Sequence, residues 1–302
     1  MESKRTLNVD VGRSISEFRA AMKEFELKYK LYRLILRGKG LEFDSYREYS
    51  PDEDAEAIDW KASMRANKLL ARRYKEERNL KVVFIIDVGD NMVFGTTKKL
   101  KCEYAVEIIA AFAHLIVTSG DKIGYVLFSE DVKDYIKPSA GLKQFNRLIA
   151  DISNPDIYSG MSNLSNALEF VLTYVNGIES AIIVSDFLNF DQVAARKLSL
   201  VANKVETVAL MVKDPLDRAL PNVSGELIVE DPKTGQQLLI NPKLVRGAYE
   251  RYSLEQENFL RGVCIRYDID LLELITDKSF VPYLSGFLKG RVKKINLAKG
   301  IK

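Results

Sequence analysis

The sequence predicts an α/β protein built on a doubly wound, mostly parallel sheet with helices on both faces. Three observations carry this expectation. From Lys81 onward, short apolar runs without helical spacing alternate with helical patterns, the rhythm of strands joined by helical crossovers. Two of the runs, residues 82–86 and 181–184, are apolar at every position, as strands covered on both faces are. Both then close in acid, at Asp87 and Asp186, and open parallel sheets place their ligand sites in the crevice outside the carboxyl ends of the strands.

Taken in order, residues 14–36 read as a helix: Ser14 and Glu17 stand at capping-box spacing, and Phe18, Ala21, Met22, Phe25, Leu31 and Leu34 form an apolar stripe. Gly38 and Gly40 end it, and a short extended segment follows over residues 41–49. Residues 48–77 are dense in charge, with acids first (Asp52, Glu53, Asp54, Glu56, Asp59), the single tryptophan Trp60, and then bases from Lys61 to Lys75. That order favours a compact cluster of ion pairs around Trp60, with a solvated charged face as the alternative. Strands are expected at 80–87, 122–129, 181–186 and 205–212, with a hairpin partner at 132–137. Helices are expected at 97–118, 142–152, 163–175 and 191–202. Beyond Pro215, a hairpin (226–230 with 236–240), a helix from Pro242 to about 262, a strand at 270–275 and a helix at 278–288 complete the chain, and the basic tail is expected to fray. The predicted organisation is an N-terminal segment 1–78, a core 79–214 and a C-terminal part 215–302 that completes the same globular unit.

Composition bounds the function. Hydrophobic residues make up 47% and charged residues 29% of 302 positions, as in globular proteins. A net charge of +3, from 45 bases and 42 acids, gives little support to nucleic-acid binding. No stretch reaches the roughly 20 apolar residues that span a bilayer, and residues 1–14 lack the apolar core of a signal peptide, so a cytoplasmic location is expected. Cys102 and Cys264 stand apart, and His114 is the only histidine and lies in an apolar helical pattern. Neither a zinc knuckle nor a multi-histidine metal site is suggested, and no phosphate-binding loop, GxSxG or HExxH pattern is present.

The oxygen donors at the strand ends are the candidate chemistry. Asp87 with Asn91, the loop SGMSNLSNAL (159–168) and Asp186 can converge on one sheet edge, and hard cations such as Mg²⁺ or Mn²⁺ take such donors. DVGDNM (87–92) resembles the first loop of the metal-ion-dependent adhesion site of von Willebrand factor A domains, GMSNLSNAL the second and SDF the third. The pattern has two serines where this chain has Gly89 and Asn91, and Ser162 stands where threonine is usual, so the resemblance is to a degenerate site. Beyond it, GLEFDSYREYSPDEDAEAIDW (40–60) is similar to the hallmark GxxFxxxRxYxPxDDxRxIDW of the MoxR-associated von Willebrand factor A-like proteins, the domain of unknown function 58 family. That resemblance extends over most of the chain.

The resemblance implies a Rossmann-like fold of von Willebrand factor A type. It implies a metal held by Asp87, Asn91, Ser162 and Asp186, with Asp90 and Ser185 facing a partner. It also implies a MoxR-type AAA+ ATPase as partner, and a cation that leaves one position for an acidic side chain of a protein ligand. Arg47, Asp54 and Asp59 match charged positions of the hallmark; with Trp60 they are expected to clamp the N-terminal segment onto the core. The expected function is a non-catalytic interaction module. The alternative is a metal-dependent phosphoesterase or nuclease on the Asp87/Asp186 edge, for which two-metal chemistry usually needs more carboxylates than Asp87, Asp90 and Asp186.

Overall fold

The structure, a computed structural model, describes residues 6–23, 43–50, 58–74, 79–223, 225–230 and 236–298. Its centre is a six-stranded sheet. In chain order these strands are β3 (Lys81–Asp87), β4 (Lys122–Phe128), β5 (Val132–Ser139), β6 (Ser180–Ser185), β7 (Glu206–Lys213) and β10 (Asp270–Ile275). Their spatial order is β10-β7-β6-β3-β4-β5, and every pair is parallel except β4 with β5. Counted within the sheet this is 6-5-4-1-2-3, the doubly wound order, whose topological switch point falls between the first and fourth strands. Here those strands are β3 and β6.

Burial on both faces is visible residue by residue on β3. Val82, Phe84 and Ile86 point into one apolar core, Val83 and Ile85 into the other. The first core is covered by α1 (Val11–Lys23), α3 (Lys101–Thr118), α4 (Leu142–Ile152) and α8 (Phe280–Ala298); the second by α5 (Leu164–Tyr174), α6 (Gln192–Lys204) and α7 (Pro242–Arg266). Phe84 meets Phe112 of α3 edge to face at 6.3 Å, a geometry that adds to simple burial. At Gly124 of β4 an added Cβ would sit 2.7 Å from the Ile136 carbonyl oxygen of β5, so the antiparallel edge strand can approach only a glycine there. Since β10 pairs with β7 in continuous register, the C-terminal part adds a strand to this same sheet.

Several boundaries differ from the expected ones. Helix α1 starts at Val11, and Asp10 caps it by accepting the Arg13 N–H at 3.0 Å. Ser14 is instead buried in its second turn. Residues 24–36 of the expected helix lie outside the described residues. Helix α8 runs to Ala298, well past the expected end, and is tied to the sheet by Arg291, which pairs with Glu206 and Asp270. The segment 226–240 forms the expected hairpin, β8 (Leu227–Glu230) with β9 (Gln237–Ile240).

The hallmark segment folds as a small separate sheet of β1 (Phe43–Glu48) and β2 (Leu70–Tyr74), antiparallel, with the short helix α2 (Trp60–Ala66) between them. Asp59 is its centre: its carboxylate caps α2 by accepting the Lys61 and Ala62 N–H groups and accepts the Tyr46 hydroxyl at 3.1 Å. Of the expected clamp, one part is corrected: Trp60 does not supply a buried apolar anchor. Trp60 is 64% exposed and Arg47 is exposed, because Trp60 occupies the first turn of α2 on its solvent side; Asp54 lies outside the described residues. Another device holds the N-terminal segment. Its Asn8 and Asp10 N–H groups donate to Glu103 and Glu107 of α3, while Leu7, Val9, Ile15 and Phe18 pack into the first core.

Candidate functional site

Asp87 is the last residue of β3 and Ser185 the last of β6, so the two flank the switch point, and Asp186 follows directly. Three loops close over them. The first, after β3, is stitched to the second by Ser159 N–H to Val88 O (3.1 Å), Asp90 N–H to Gly160 O (2.9 Å) and Gly160 N–H to the Asp90 carboxylate (2.9 Å). Lys133 of β5 donates to the Ile157 and Ser159 carbonyls and to the Ser159 hydroxyl, which fixes the second loop from the other side. In the third loop Phe187 is held at φ 53°, a left-handed conformation that is an outlier for a bulky side chain and that collects at functional sites. Its N–H donates to Ser185 Oγ at 3.0 Å, and the Leu188 N–H to Asp186 Oδ1 at 3.1 Å. The strained turn thereby aims both side chains inward.

The two acids sit in different environments. Asp87 is fully buried; its Oδ2 accepts Ser162 Oγ at 2.6 Å and Ser185 Oγ at 2.7 Å, and its Oδ1 accepts the Gly89 N–H at 2.9 Å. Burial, helped by the charge of Asp186, pushes this carboxyl up to about 6 despite those three donors. Asp186 is as deeply buried, but its Oδ2 accepts Asn91 Nδ2 and Lys101 Nζ, each at 2.7 Å. Burial is the largest single influence and opposes its charge, but Lys101, Lys213 and Asn91 together outweigh it and hold Asp186 below the usual carboxylate range.

Lys101 is the residue that sequence reasoning missed. It opens α3, is 1% exposed, and lies 2.7 Å from Asp186 and 3.1 Å from Asp217. Burial works against its charge, but the two carboxylates keep its pKa above the ordinary value. Asp217 in turn accepts the Asp214 N–H at 2.8 Å. Lys213, at the end of β7, is also buried; burial lowers its pKa, with Asp186 and Asp217 nearby acting in the opposite sense. One signal was available in the sequence. A lysine in the first turn of a helix opposes the helix dipole, so it calls for carboxylates close by.

The structure thus brings Asp87, Asn91, Ser162, Ser185 and Asp186 to one crevice in two hydrogen-bonded sets, Asp87 with Ser162 and Ser185, and Asp186 with Asn91. Asp90 points to the Gly160 N–H instead of outward. Set against Mg²⁺ or Mn²⁺, this donor set does not fit. A small divalent cation needs about six oxygens in near-octahedral array, whereas Asp186 Oδ2 holds an amide N–H and an ammonium, and Asp87 Oδ2 holds two hydroxyls. A side chain at Gly89 would displace Asn91 as it stands, because a Cβ there would lie 2.6 Å from Asn91 Oδ1. Among the described residues no group of three His, Cys, Asp or Glu side chains is placed to hold a metal. Each loop carries one exposed large apolar residue, Val93, Met161 and Leu188, beside exposed polar ones at Thr96, Ser159 and Asn189.

Comparison with known proteins gives three kinds of match. A family described as "Protein of unknown function DUF58" matches residues 45–258. The chain is 25% identical over 264 residues to the uncharacterized protein Rv1480 of Mycobacterium tuberculosis (strain ATCC 25618 / H37Rv), covering 85% of this chain and 81% of that protein. Similar solved structures include the conserved hypothetical protein BatB from Bacteroides thetaiotaomicron (TM-score 0.46, 15% identity, 71% of this chain and 100% of that one). An aerotolerance-related membrane protein from Bacteroides fragilis NCTC 9343 (TM-score 0.47, 13% identity, 72% and 100%) and a von Willebrand factor type A protein from Catenulispora acidiphila (TM-score 0.40, 12% identity, 75% and 44%) are also similar. No helix among the described residues is long and apolar enough to cross a membrane.

Proposed function

The chain belongs to the DUF58 family of proteins of unknown function, and from that premise we propose that it is a non-catalytic protein-interaction module of von Willebrand factor A type. Its working surface is the crevice at the switch point between β3 and β6. The observation that carries this reading is the rim: three loops, locked to one another by hydrogen bonds and by the strained turn at Phe187, each present one exposed apolar residue, Val93, Met161 and Leu188. Rigid loops with an apolar tip favour docking, because little ordering cost is left for the moment of binding.

The partner in this reading is a MoxR-type AAA+ ATPase, as the family resemblance implies, with this chain in a chaperone-like or assembly role in the cytoplasm. A contact to an acidic partner side chain would need a cation with a free coordination position, which the donor set of the degenerate adhesion site does not favour, so the contact is assigned to the apolar rim. The reading is tested with the purified MoxR-type ATPase of the same organism and nucleotide present. Binding is expected for the wild type, with Met161→Arg and Leu188→Arg each weakening it at least about tenfold. Absence of binding, or rim variants that bind like the wild type, would overturn it.

A second reading, a metal-dependent phosphoesterase or nuclease, draws on one observation, the Asp87 carboxyl raised to about 6, a range suited to acid-base work. Against it, Asp87 is fully buried and two of its acceptor positions are taken by serines. Turnover of a generic phosphodiester with Mn²⁺, abolished by Asp87→Ala, would establish this second reading over the first.

A further inference from the structure

We infer that the ammonium of Lys101 is the resident cation of this crevice, supplying from within the chain the positive charge that a divalent metal supplies in adhesion sites of the related pattern. Its geometry is that of a bound ion: 1% exposed, 2.7 Å from Asp186 and 3.1 Å from Asp217, with its Nζ 5.6 Å from the centre of the Phe94 ring. An isolated buried carboxylate costs several kcal/mol, and removal of a buried partner leaves that cost uncompensated. Asp186 therefore needs a cation in every state in which it is ionised, and Lys101 is covalently present in all of them.

The rest of the site is arranged to suit an ammonium and to refuse a metal. Asn91 turns its amide N–H, a donor, toward Asp186, which is repulsive to a cation at that oxygen. Gly89 leaves only enough room for the Asn91 carbonyl oxygen, since a Cβ would meet it at 2.6 Å and Asp87 Oδ1 at 3.1 Å. Ser162 and Ser185 direct their hydroxyl hydrogens at Asp87, so their lone pairs do not converge with its own. A divalent ion entering here would also face the Lys101 and Lys213 charges, both buried at the same sheet edge. Gly89, Asn91 and Lys101 are thus mutually compatible: Asn91 and Lys101 share one oxygen of Asp186, and Gly89 leaves the space that Asn91 occupies.

The consequence for docking rests on the interaction reading above: partner binding at this edge is independent of divalent cations and survives chelation. The charge balance itself does not rest on that reading and is tested without a partner. Mn²⁺ and Mg²⁺ are titrated calorimetrically into the wild type, and melting temperatures are recorded with and without each ion. No saturable heat and no shift in melting temperature are expected. Lys101→Met is expected to lower the melting temperature by roughly 10 °C, and Lys101→Met combined with Asp186→Asn to recover at least half of that loss, because the charge left alone is removed with its partner. Should Lys101→Met not fold, recovery of a folded protein in the double variant gives the same answer.

Stoichiometric Mn²⁺ binding by the wild type that is lost in Asp186→Ala would overturn the inference. So would a double variant no more stable than Lys101→Met alone. Failure of the ATPase experiment with these outcomes met would remove the docking reading and leave Lys101 in place.

Discussion

The crevice around Asp87 and the small sheet around Trp60 are built in opposite ways. In the crevice, charge is covered and matched: buried Asp87 by two hydroxyls and an N–H, buried Asp186 by Lys101 and Asn91, and half-buried Asp90 by the second loop. In the small sheet, charge is carried on the surface. Lys68 and Glu48 pair at 2.5 Å across exposed positions, Arg47 is exposed, and Trp60 stands in solvent. Among the described charged residues there, Asp59 alone is buried. Exposed pairs contribute roughly 0–1 kcal/mol, whereas breaking a buried one costs several. The density of charged residues along the chain is thus a poor guide to where charge matters; what the fold covers decides it.

The contrast is broken or sharpened first by Asp186→Ala. It leaves Lys101 buried with Asp217 alone, and stability to urea should fall by about 3–5 kcal/mol. Arg47→Ala, in the other region, should change it by less than about 0.5 kcal/mol. Equal losses would mean that the crevice is no more tightly matched than the surface.

The second effect is on pH. Asp87 is raised to about 6 from 3.8, so the folded state holds this proton more tightly than the unfolded state does. Stability is therefore greatest below the unfolded pKa and declines as pH rises through about 6, by an amount on the order of 2–3 kcal/mol. Asp186 works in the other direction, because its pKa is lowered: its contribution is present above the ordinary carboxylate pKa and is lost as pH falls through the lowered value. Burial raises Asp121 to about 6 as well, so Asp87→Asn should make the decline between about pH 4 and 7 shallower while leaving the acid limb, and the further change Asp121→Asn should flatten it. A decline left unchanged by Asp87→Asn would remove Asp87 from it.

A third, smaller effect belongs to Asp59. Its carboxylate caps α2 and accepts the Tyr46 hydroxyl, so Asp59→Ala should cost about 1–2 kcal/mol, read as faster amide exchange in α2 and β2. Exchange on β3 and β6 should stay unchanged. Acceleration in the central sheet would show that the two regions fold as one cooperative unit.

The sheet was legible because short apolar runs closed by acid or turn residues alternate with longer helical patterns; composition alone would not have sufficed, since α3 is apolar at every position from 108 to 113. The candidate edge was legible because Asp87 and Asp186 interrupt such strands at their ends. Lys101 left only the signal of an unfavourable charge at a helix start, and which carboxylates answer it was not legible, for a physical reason: Lys101 and Asp217 lie 116 residues apart and the fold alone brings them together. Helix α1 shows a subtler loss: Asp10 and Ser14 are both competent caps one turn apart, and the packing of Val11 and Ile15 against the core favours the earlier start.

Trp60 gives the last and smallest test, and the one with the sharpest sign. As the only tryptophan in a charged segment, it was the natural candidate for a buried anchor, and truncation of a buried tryptophan costs about 3–5 kcal/mol. At 64% exposure it has little apolar area to lose, so Trp60→Ala should shift stability by less than about 0.5 kcal/mol. Its fluorescence should already be that of a solvent-exposed indole and respond to a collisional quencher in the folded protein. A large loss of stability, or an indole shielded from quencher, would mean that a surface outside the described residues covers Trp60, and the hallmark segment would then belong with the crevice among the buried, matched regions of the molecule.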